Sequence, residues 1–296
     1  LYTAGSGAAN FLEWDSFNIY RYLWRSLDDG AAFERVTRGH NMRLGDTRWT
    51  RLLVFDGGTG LRALGQELLR EMPLTMHLFF SHVHWDHIQG FPFFAPAFRP
   101  GNTLHMYGAS SFFGTVETAM AGQMEFPNFP VKLGELGSKL VFHDLRAGAN
   151  VQVDAESGDP IHVRTAAGHH PGGVLAYRVE HGGRSVVYAT DTEHPAEGID
   201  DGLAEFAREA DVLIYDSMYT PDEYVGKHDG VSRVGWGHST YVAGAELAKA
   251  ARVGQYVLFH HDPDQDDAAV REKERLARVQ FPASVAAYEG LVLELP

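Results

Sequence analysis

The feature that most constrains this chain is a run of three histidines and one aspartate within six residues. His82, His84, Asp86 and His87 lie in the sequence HVHWDH and directly follow an apolar stretch at 76–80 that predicts a buried strand. An extended backbone would send His82 and His84 to opposite faces, so a turn at the strand end must bring them together. Because neutral imidazole and carboxylate are the donors that zinc and similar ions prefer, the run predicts a metal site.

The composition restricts what can hold that metal and what can bind beside it. The 296-residue chain has no cysteine, which rules out disulfides, thiolate ligands and a thiol nucleophile. Its formal net charge is −14, and lysine occurs only at positions 132, 139, 227, 249 and 273, without a basic cluster. Since binding to a polyanion depends on Lys and Arg, we expect a small-molecule substrate and do not expect a long nucleic acid as a partner.

Other aspects of the composition are typical of a globular protein. A hydrophobic fraction of 44% suffices for a core, and no linker or repeat divides residues 1–296, which predicts a single domain. No uninterrupted apolar stretch approaches the roughly 18 residues of a membrane span, so we expect no membrane partner and a cytoplasmic location. The chain begins at Leu1 rather than Met, which leaves room for a trimmed segment such as a signal peptide.

Strand and helix patterns alternate from residue 51 onward and predict an α/β fold. DGGTG at 56–60 fits a strand-to-helix turn better than a phosphate-binding loop, because no GK[ST] follows it. Residues 1–50 predict irregular structure or strands. Strands are expected at 52–56, 76–80, 103–107, 139–143, 161–165, 174–180, 185–190, 212–215 and 255–259, and helices at 61–71, 110–120, 203–209, 241–253 and 265–278.

Three segments between these elements have open roles. FPFFAPAF at 91–98 fits core packing and an apolar wall beside the metals equally well, and residues 122–130 form a predicted ordered loop that could act as a lid. The aromatic residues of 91–98 and 126–129 could also form a dimer surface, which keeps a homo-oligomer open. The turn-rich segment 217–237 is a long loop of the kind that often carries function.

HVHWDH resembles the signature of the metallo-β-lactamase superfamily, and later segments match that family in the right order over about residues 51–296. The resemblance implies an αβ/βα four-layer sandwich, in which two mixed sheets are flanked by helices, with a two-metal hydrolase centre at one edge. Residues 1–50 match the family's first strand pair poorly. Resemblance to the diiron flavoprotein branch would require Glu at position 84, so His84 favours a zinc-type hydrolase.

The same resemblance implies the remaining metal ligands. The family has its next ligand at a turn before a GYR-like strand; here HHPGG precedes LAYR, which gives His170, with His169 as the alternative. Asp191 takes the position of the family's bridging aspartate, and the residues after it, 193 and 194, are expected to contact substrate or support the ligands. The last ligand follows a strand ending in VL-type residues, which gives His260, with His261 as its rival.

The implied centre contains two divalent ions, with zinc expected first and manganese or iron as alternatives. Each ion keeps a position for a shared water, as catalytic sites do. We therefore expect hydrolysis by metal-bound hydroxide, with Asp86 orienting or deprotonating the nucleophile while it binds metal. The assignment is His82, His84 and His170 on one ion, Asp86, His87 and His260 on the other, and Asp191 bridging both.

GHST at 237–240 is the segment that bears on the substrate. Ser239 or Thr240 is a predicted N-cap of the next helix. GHST followed by a helix and by a strand ending in a ligand histidine also resembles the ribonuclease Z and phosphodiesterase branch. In that branch the histidine stabilises the pentacoordinate transition state and assists the leaving oxygen, a role that the resemblance assigns to His238 as a catalytic residue.

Within that branch the sequence favours a phosphodiesterase acting on a small phosphodiester such as a cyclic nucleotide. Ribonuclease Z holds tRNA with a basic, glycine-rich arm, and no such segment is visible here. One alternative is a tRNA 3′-processing endonuclease. Another is an acyl hydrolase acting on a lactone, β-lactam or thioester, in which His238 has no evident duty. A third is a non-catalytic metal-binding regulatory module. Such a module would be recognised by the loss of metal ligands, and no ligand is lost in this sequence.

Overall fold

The computed structural model describes residues 52–110, 114–153, 160–288, 291–293 and 295, together with the backbone of Trp24–Arg25. These residues fall into two compact units. The first holds the chain up to Leu145, residues 153–161 and the C-terminal residues from 289, and the second consists of residues 146–152 and 162–288. The single domain stays a prediction. Apart from Trp24–Arg25, the expectation for residues 1–50 lies outside the described residues.

The described part of the first unit is built on a five-stranded sheet. Strand β1 runs antiparallel to β2, whereas β2, β3, β4 and β5 run parallel in that spatial order. In such a sheet the carboxyl ends of the parallel strands lie at one edge, where α/β proteins place their sites. The strands are Trp24–Arg25 (β1), Leu52–Phe55 (β2), Thr75–Phe79 (β3), Thr103–Ala109 (β4) and Lys139–Leu145 (β5).

Alternate apolar residues on these strands form one buried cluster with helix α1. Period-2 pairs such as Leu52 with Val54, and Met76 with Leu78, pack against Leu64 of the helix. The helices of this unit are Gly60–Leu68 (α1), Trp85–Ile88 (α2) and Val116–Gln123 (α3), with 3₁₀ turns at Phe91–Phe93, Ala95–Phe98 and Leu133–Glu135.

The segment 91–98 belongs mainly to this core. Phe91 and Phe94 are fully buried in the cluster, so the core-packing interpretation holds for them. Phe93 is 56% exposed and meets Phe129 edge-on, with ring centroids 5.6 Å apart. The lid at 122–130 and the dimer surface stay predictions. In the described ranges, every helix is too short or too polar to cross a bilayer.

The second unit is built on a seven-stranded mixed sheet in the spatial order β12–β11–β10–β9–β8–β7–β6. Strands β9 to β12 are mutually parallel, and β8 is antiparallel to both β7 and β9. The strands are Asn150–Val153 (β6), Ile161–Gly168 (β7), Val174–His181 (β8), Arg184–Ala189 (β9), Val212–Asp216 (β10), Gln255–Phe259 (β11) and Ser284–Ala286 (β12).

The helices of the second unit cover a second buried cluster. Leu203, Ala245, Leu247 and Ala277 pack against sheet residues such as Leu213. Helix α6 begins after Thr240, whose side chain accepts a hydrogen bond from the backbone N–H three residues on, so Thr240 is the N-cap. The helices are Asp201–Phe206 (α4), Pro221–Tyr224 (α5), Tyr241–Ala251 (α6) and Asp267–Gln280 (α7).

Capping side chains explain where helix bounds differ from the prediction. Helix α3 begins at Val116 rather than at 110, because Thr115 caps its first turn. Helix α7 begins at Asp267 rather than at 265, because the Asp266 side chain accepts a hydrogen bond from the backbone N–H three residues on. The predicted order of the other strands and helices is confirmed within the described residues.

Candidate metal centre

In the first unit, the turn after β3 brings the histidines of HVHWDH together. The strand ends at Phe79, and the chain bends through 81–84 before α2 begins. The His82 ring lies with its centroid 4.4 Å from that of His84 and 4.3 Å from that of His87. The Asp86 carboxylate approaches His87 Nε2 at 3.1 Å. These four predicted ligands therefore form one local donor set.

Asp56, at the end of the neighbouring strand β2, supports this donor set. Its buried carboxylate accepts hydrogen bonds from the Ser81 backbone N–H at 2.6 Å and from the Ser81 hydroxyl at 2.7 Å. It also lies 2.9 Å from His87 Nδ1. A carboxylate on Nδ1 fixes the ring and directs Nε2 toward a metal. The sequence interpretation assigned Asp56 only to a strand and the turn after it. The signal that could have indicated its role at the site is the position of an aspartate at the end of a strand.

The DGGTG turn packs directly on the metal loop, in agreement with the turn interpretation. Gly57 N–H donates to the His87 carbonyl at 2.7 Å, and Gly90 N–H donates to the Gly57 carbonyl at 2.9 Å. A Cβ at Gly90 would lie 1.9 Å from the Gly58 carbonyl oxygen, so only glycine fits there. The turn thus holds the C-terminal end of α2.

Substitution of Asp56 by Asn is expected to weaken metal binding while the fold is retained. The amide cannot accept all three hydrogen bonds, and losing such a supporting group typically lowers metal affinity by about 10- to 100-fold. Competition with a chromogenic chelator measures this affinity. Asp144→Asn, at an exposed aspartate of β5, is the matched control. Equal affinity in Asp56→Asn and wild type would show that Asp56 does not support the site.

In the second unit, ligand atoms of His170, Asp191 and His238 all lie within 4.8 Å of one another, and the same holds for Asp216, His238 and His260. Asp191 follows strand β9, and His260 is the first residue after β11. His260 Nε2 lies 3.3 Å from Asp191 Oδ1. The predicted ligands of this unit therefore form a second local donor set.

The structure places His170, and not His169, in this donor set. His170 Nδ1 lies 2.9 Å from the Gly237 carbonyl, so Nδ1 carries the proton and Nε2 can accept a metal. The His169 side chain is 69% exposed, and its Nε2 pairs with Asp200 at 3.2 Å.

His261 also lies outside the donor set. It is buried, and its Nε2 lies 3.2 Å from the Ala287 carbonyl, to which it donates a hydrogen bond. Burial lowers the pKa of His261 well below its ordinary value, so the ring stays neutral. His261 is therefore a neutral histidine of the protein interior, whereas His260 faces Asp191.

Three residues that belong to or support the two donor sets lie in the left-handed region of backbone space. Asp56, Asp191 and His260 have φ values of 57°, 52° and 55°. Such a conformation costs a non-glycine residue about 1–3 kcal/mol and is concentrated at functional sites. Each of the three lies just beyond the end of a strand, where the bend turns the side chain toward its donor set.

His238 is held by Asp216, the last residue of β10. His238 Nδ1 lies 2.9 Å from Asp216 Oδ2, and Ser239 N–H donates to Asp216 Oδ1 at 2.9 Å. The rings of His238 and His260 are nearly parallel, with centroids 4.8 Å apart. Asp216 is fully buried. The sequence interpretation missed it, although an aspartate directly after a predicted strand is the same signal that marks Asp191.

A buried lysine supports the turn that follows Asp216. Lys273 on α7 is 1% exposed, and its ammonium donates to the carbonyls of Ser217 at 2.8 Å and Met218 at 3.0 Å. Burial lowers the pKa of Lys273 to about 7, although Glu223 and Asp262 act in the opposite direction. The last helix is thus tied to the loop that begins at Asp216.

The low pKa predicts a pH-dependent contribution of Lys273 to stability. Between pH 7 and the ordinary pKa of 10.5, the unfolded chain binds a proton that the folded chain lacks. The free energy of unfolding of the wild type should therefore rise with pH in this window, relative to Lys273→Met, by up to about 1.4 kcal/mol per pH unit. Urea denaturation at pH 7 to 9.5 measures both slopes, with Lys273→Gln as a non-titrating control. Parallel slopes would contradict the depressed pKa.

Each donor set has the chemistry that a divalent ion requires. Both consist of imidazole nitrogens and carboxylate oxygens, and the hydrogen bonds at Nδ1 of His87 and His170 leave Nε2 for a metal. Oxygen and nitrogen donors without thiolate suit zinc, manganese or iron. The residues present therefore fit a metal-dependent activity.

Comparison with known proteins identifies the family. Residues 51–261 match the family model described as the Beta-lactamase superfamily domain, so the chain belongs to the metallo-β-lactamase superfamily. A relative named Ribonuclease Z from Bacillus subtilis (strain 168) is 26% identical over 258 residues, covering 74% of this chain and 80% of the relative. The resemblance drawn from HVHWDH and GHST to this superfamily and its ribonuclease Z branch is thereby confirmed.

Solved structures support the fold. The metallo-beta-lactamase fold protein YhfI from Bacillus subtilis has a TM-score of 0.60 and 21% identity, covering 83% of this chain and 88% of that one. Human tRNase Z, short form, has a TM-score of 0.55 and 20% identity, covering 83% of this chain and 89% of that one.

 With two sheets and their helices, the predicted α/β metallo-β-lactamase fold is confirmed.

The comparisons correct one expectation. A long nucleic acid was not expected as a partner, but this is wrong, because the curated relative is named a ribonuclease and human tRNase Z shares the fold. The physical reason lies in what net charge measures: a formal charge of −14 is a sum over the whole chain, whereas a nucleic acid contacts one face. The prediction of a metal-dependent hydrolase is confirmed at the level of the family.

Proposed function

We propose that this protein is a metal-dependent phosphodiester hydrolase that acts on RNA. The observation that carries the proposal is the arrangement of His238, whose Nδ1 lies 2.9 Å from the buried Asp216 carboxylate. A histidine oriented in this way beside a metal-binding donor set suits stabilisation of a phosphodiester transition state, and acyl hydrolysis gives it no evident duty.

The proposed ligands are the seven residues that the family resemblance implies. His82, His84, Asp86 and His87 come from the first unit, and His170, Asp191 and His260 from the second. Two divalent ions, zinc first and manganese or iron as alternatives, would supply Lewis acidity and a water of lowered pKa. The chemistry of both donor sets supports this assignment.

The side chains have separate duties in the proposed reaction. Asp86 orients the attacking water or takes its proton. His238 donates a hydrogen bond or a proton through Nε2 toward the phosphoryl and leaving oxygens, because Asp216 holds Nδ1 and stabilises the ring when it is protonated. In the reaction a bond forms between the water oxygen and phosphorus, the bond between phosphorus and the leaving oxygen breaks, and a proton from His238 neutralises the leaving oxygen.

The substrate class rests on the relatives. The curated relative is named Ribonuclease Z and a structural neighbour is named tRNase Z, which supports RNA, with processing of tRNA 3′ ends as the particular reaction. A small phosphodiester such as a cyclic nucleotide presents the same bond to the same side chains. The two substrates are therefore compared directly.

Incubation with an end-labelled, 3′-extended precursor tRNA tests the proposal. We expect cleavage at a single position near the mature 3′ end, loss of cleavage with chelator, and recovery on addition of Zn²⁺ or Mn²⁺. A cyclic nucleotide is assayed in parallel. If the protein hydrolyses the cyclic nucleotide but leaves the precursor tRNA uncut, RNA is not the substrate, although the protein is still a phosphodiester hydrolase. Inertness toward both would overturn the proposed function.

A further inference from the structure

An exposed tryptophan lies immediately before the GHST segment. Trp236 is 50% exposed and belongs to a loop that also exposes Val231 and Val234, at 46% and 57%. Several exposed apolar side chains grouped on one loop are typical of a binding surface. The mechanism proposed above makes no use of this loop.

The backbone on either side of Trp236 is held in place by one carboxylate. Glu193 accepts a hydrogen bond from Gly235 N–H at 2.7 Å and from Gly237 N–H at 2.9 Å. The Tyr224 hydroxyl donates a third hydrogen bond to the same carboxylate. The loop around Trp236 is therefore fixed in one conformation.

The indole is also positioned by a neighbouring cation. The Arg233 guanidinium carbon lies 5.9 Å from the Trp236 ring centroid and 5.4 Å from that of Tyr219, within cation–π range. The guanidinium pairs with Asp229 at 2.7 Å and donates to the carbonyl of Glu223 at 3.0 Å. Arg233 thus serves the loop, and the indole remains half exposed.

Trp236 is also close to the reaction centre along the chain. The next residue, Gly237, accepts a hydrogen bond from His170 Nδ1, and His238 follows. Gly237 has φ +89°, and a Cβ there would lie 2.3 Å from His170 Nδ1, so the backbone next to Trp236 packs directly against His170. A group attached to a phosphodiester at His238 therefore lies within reach of the indole.

We propose that Trp236 is a specificity-determining residue that stacks on the nucleobase next to the scissile phosphodiester. The inference rests on the proposed function and adds a nucleoside-recognition element to it. An aromatic side chain stacks on any nucleobase, because every base has a π-face, and the stacking itself does not depend on lysine. This agrees with the scarcity of lysine in this chain. The stacked base positions the phosphodiester and leaves the chemistry to His238 and the metal ligands.

Two chromogenic diesters with the same leaving group test this inference. Thymidine 5′-(p-nitrophenyl phosphate) carries a base, and methyl p-nitrophenyl phosphate does not. For Trp236→Ala we expect KM for the thymidine ester to rise about 5- to 50-fold with kcat within about twofold, and no change for the methyl ester. Trp236→Phe should restore most of the affinity. Tyr288→Ala, at another exposed aromatic residue of this unit, is the control.

The outcomes separate this inference from the proposed function. Equal effects on the two esters, or none on either, would overturn the stacking role, and a change in oligomeric state with unchanged KM would identify Trp236 as an interface residue. If the wild type cleaves neither ester, the proposed function fails. Calorimetric titration with adenosine 5′-monophosphate then decides the stacking role: weaker binding by Trp236→Ala supports it, and equal binding overturns it.

Discussion

Asp191→Asn is expected to lose metal and to lower phosphodiester turnover on the order of 10³-fold or more. The Asp191 carboxylate is 1% exposed, accepts a hydrogen bond from the Thr190 hydroxyl at 2.6 Å, and lies 3.3 Å from His260 Nε2. An amide has nearly the same shape but no negative charge, so it cannot balance the charge of the two divalent ions that we propose for this centre. Metal content by plasma mass spectrometry and turnover in the same preparation measure both effects.

The control for this variant is Asp211→Asn. Asp211 is a partly buried aspartate of the same unit that pairs with Arg184 at 3.0 Å and has no role in the proposed centre. It should retain its metal and its turnover. An Asp191→Asn protein with the metal content of the wild type would remove Asp191 from the ligand set.

His238→Ala is expected to lower kcat for phosphodiesters by about 10²- to 10⁴-fold, the range for loss of a general acid. Its metal content should not change, because the proposed role of His238 lies in the transition state. Asp216→Asn should lower kcat less, since the imidazole remains but loses its buried carboxylate partner. Steady-state kinetics on metal-quantified protein distinguish the two variants.

His162→Ala, at a partly exposed histidine of β7, is the control for His238→Ala. Its kcat should match that of the wild type. Loss of metal from His238→Ala would mean that this histidine is a ligand. The metal measurement has to test this outcome, because the ligand atom of His238 lies within 4.8 Å of those of His170 and Asp191.

The metal loop was predictable from sequence because its donors are local. Four ligands within six residues at a strand end need only one turn to converge, and that turn is present. Asp191, His170 and His260 are far apart in the sequence and became candidates through the family resemblance. Strand ends meeting at one edge explain why such distant residues gather within the second unit.

The supporting carboxylates were not predictable in the same way. Asp56 contacts a histidine 31 positions away, and Asp216 contacts one 22 positions away. No periodicity or spacing connects such pairs, because strand pairing in the sheet brings them together. Strands β6 and β12 were also missed: with four and three residues, they are too short for a period-2 pattern to stand out.

The partner expectation failed for a different reason. Charge counting describes the chain as a whole, and it gave too much weight to the five lysines. An aromatic side chain can bind a base without a positive charge, and Trp236 is such a side chain in the described loop. Composition therefore limits the electrostatic contribution to nucleic-acid binding and does not exclude binding itself.

Turnover of bis(p-nitrophenyl) phosphate by purified, metal-quantified protein, beside a chromogenic β-lactam and a lactone, tests the central claim most directly. The account predicts about two metal ions per chain, the number typical of dinuclear hydrolases, and chelator-sensitive cleavage of the diester alone. Cleavage of the β-lactam or the lactone by a protein that leaves the diester intact would contradict phosphodiester chemistry and the role of His238.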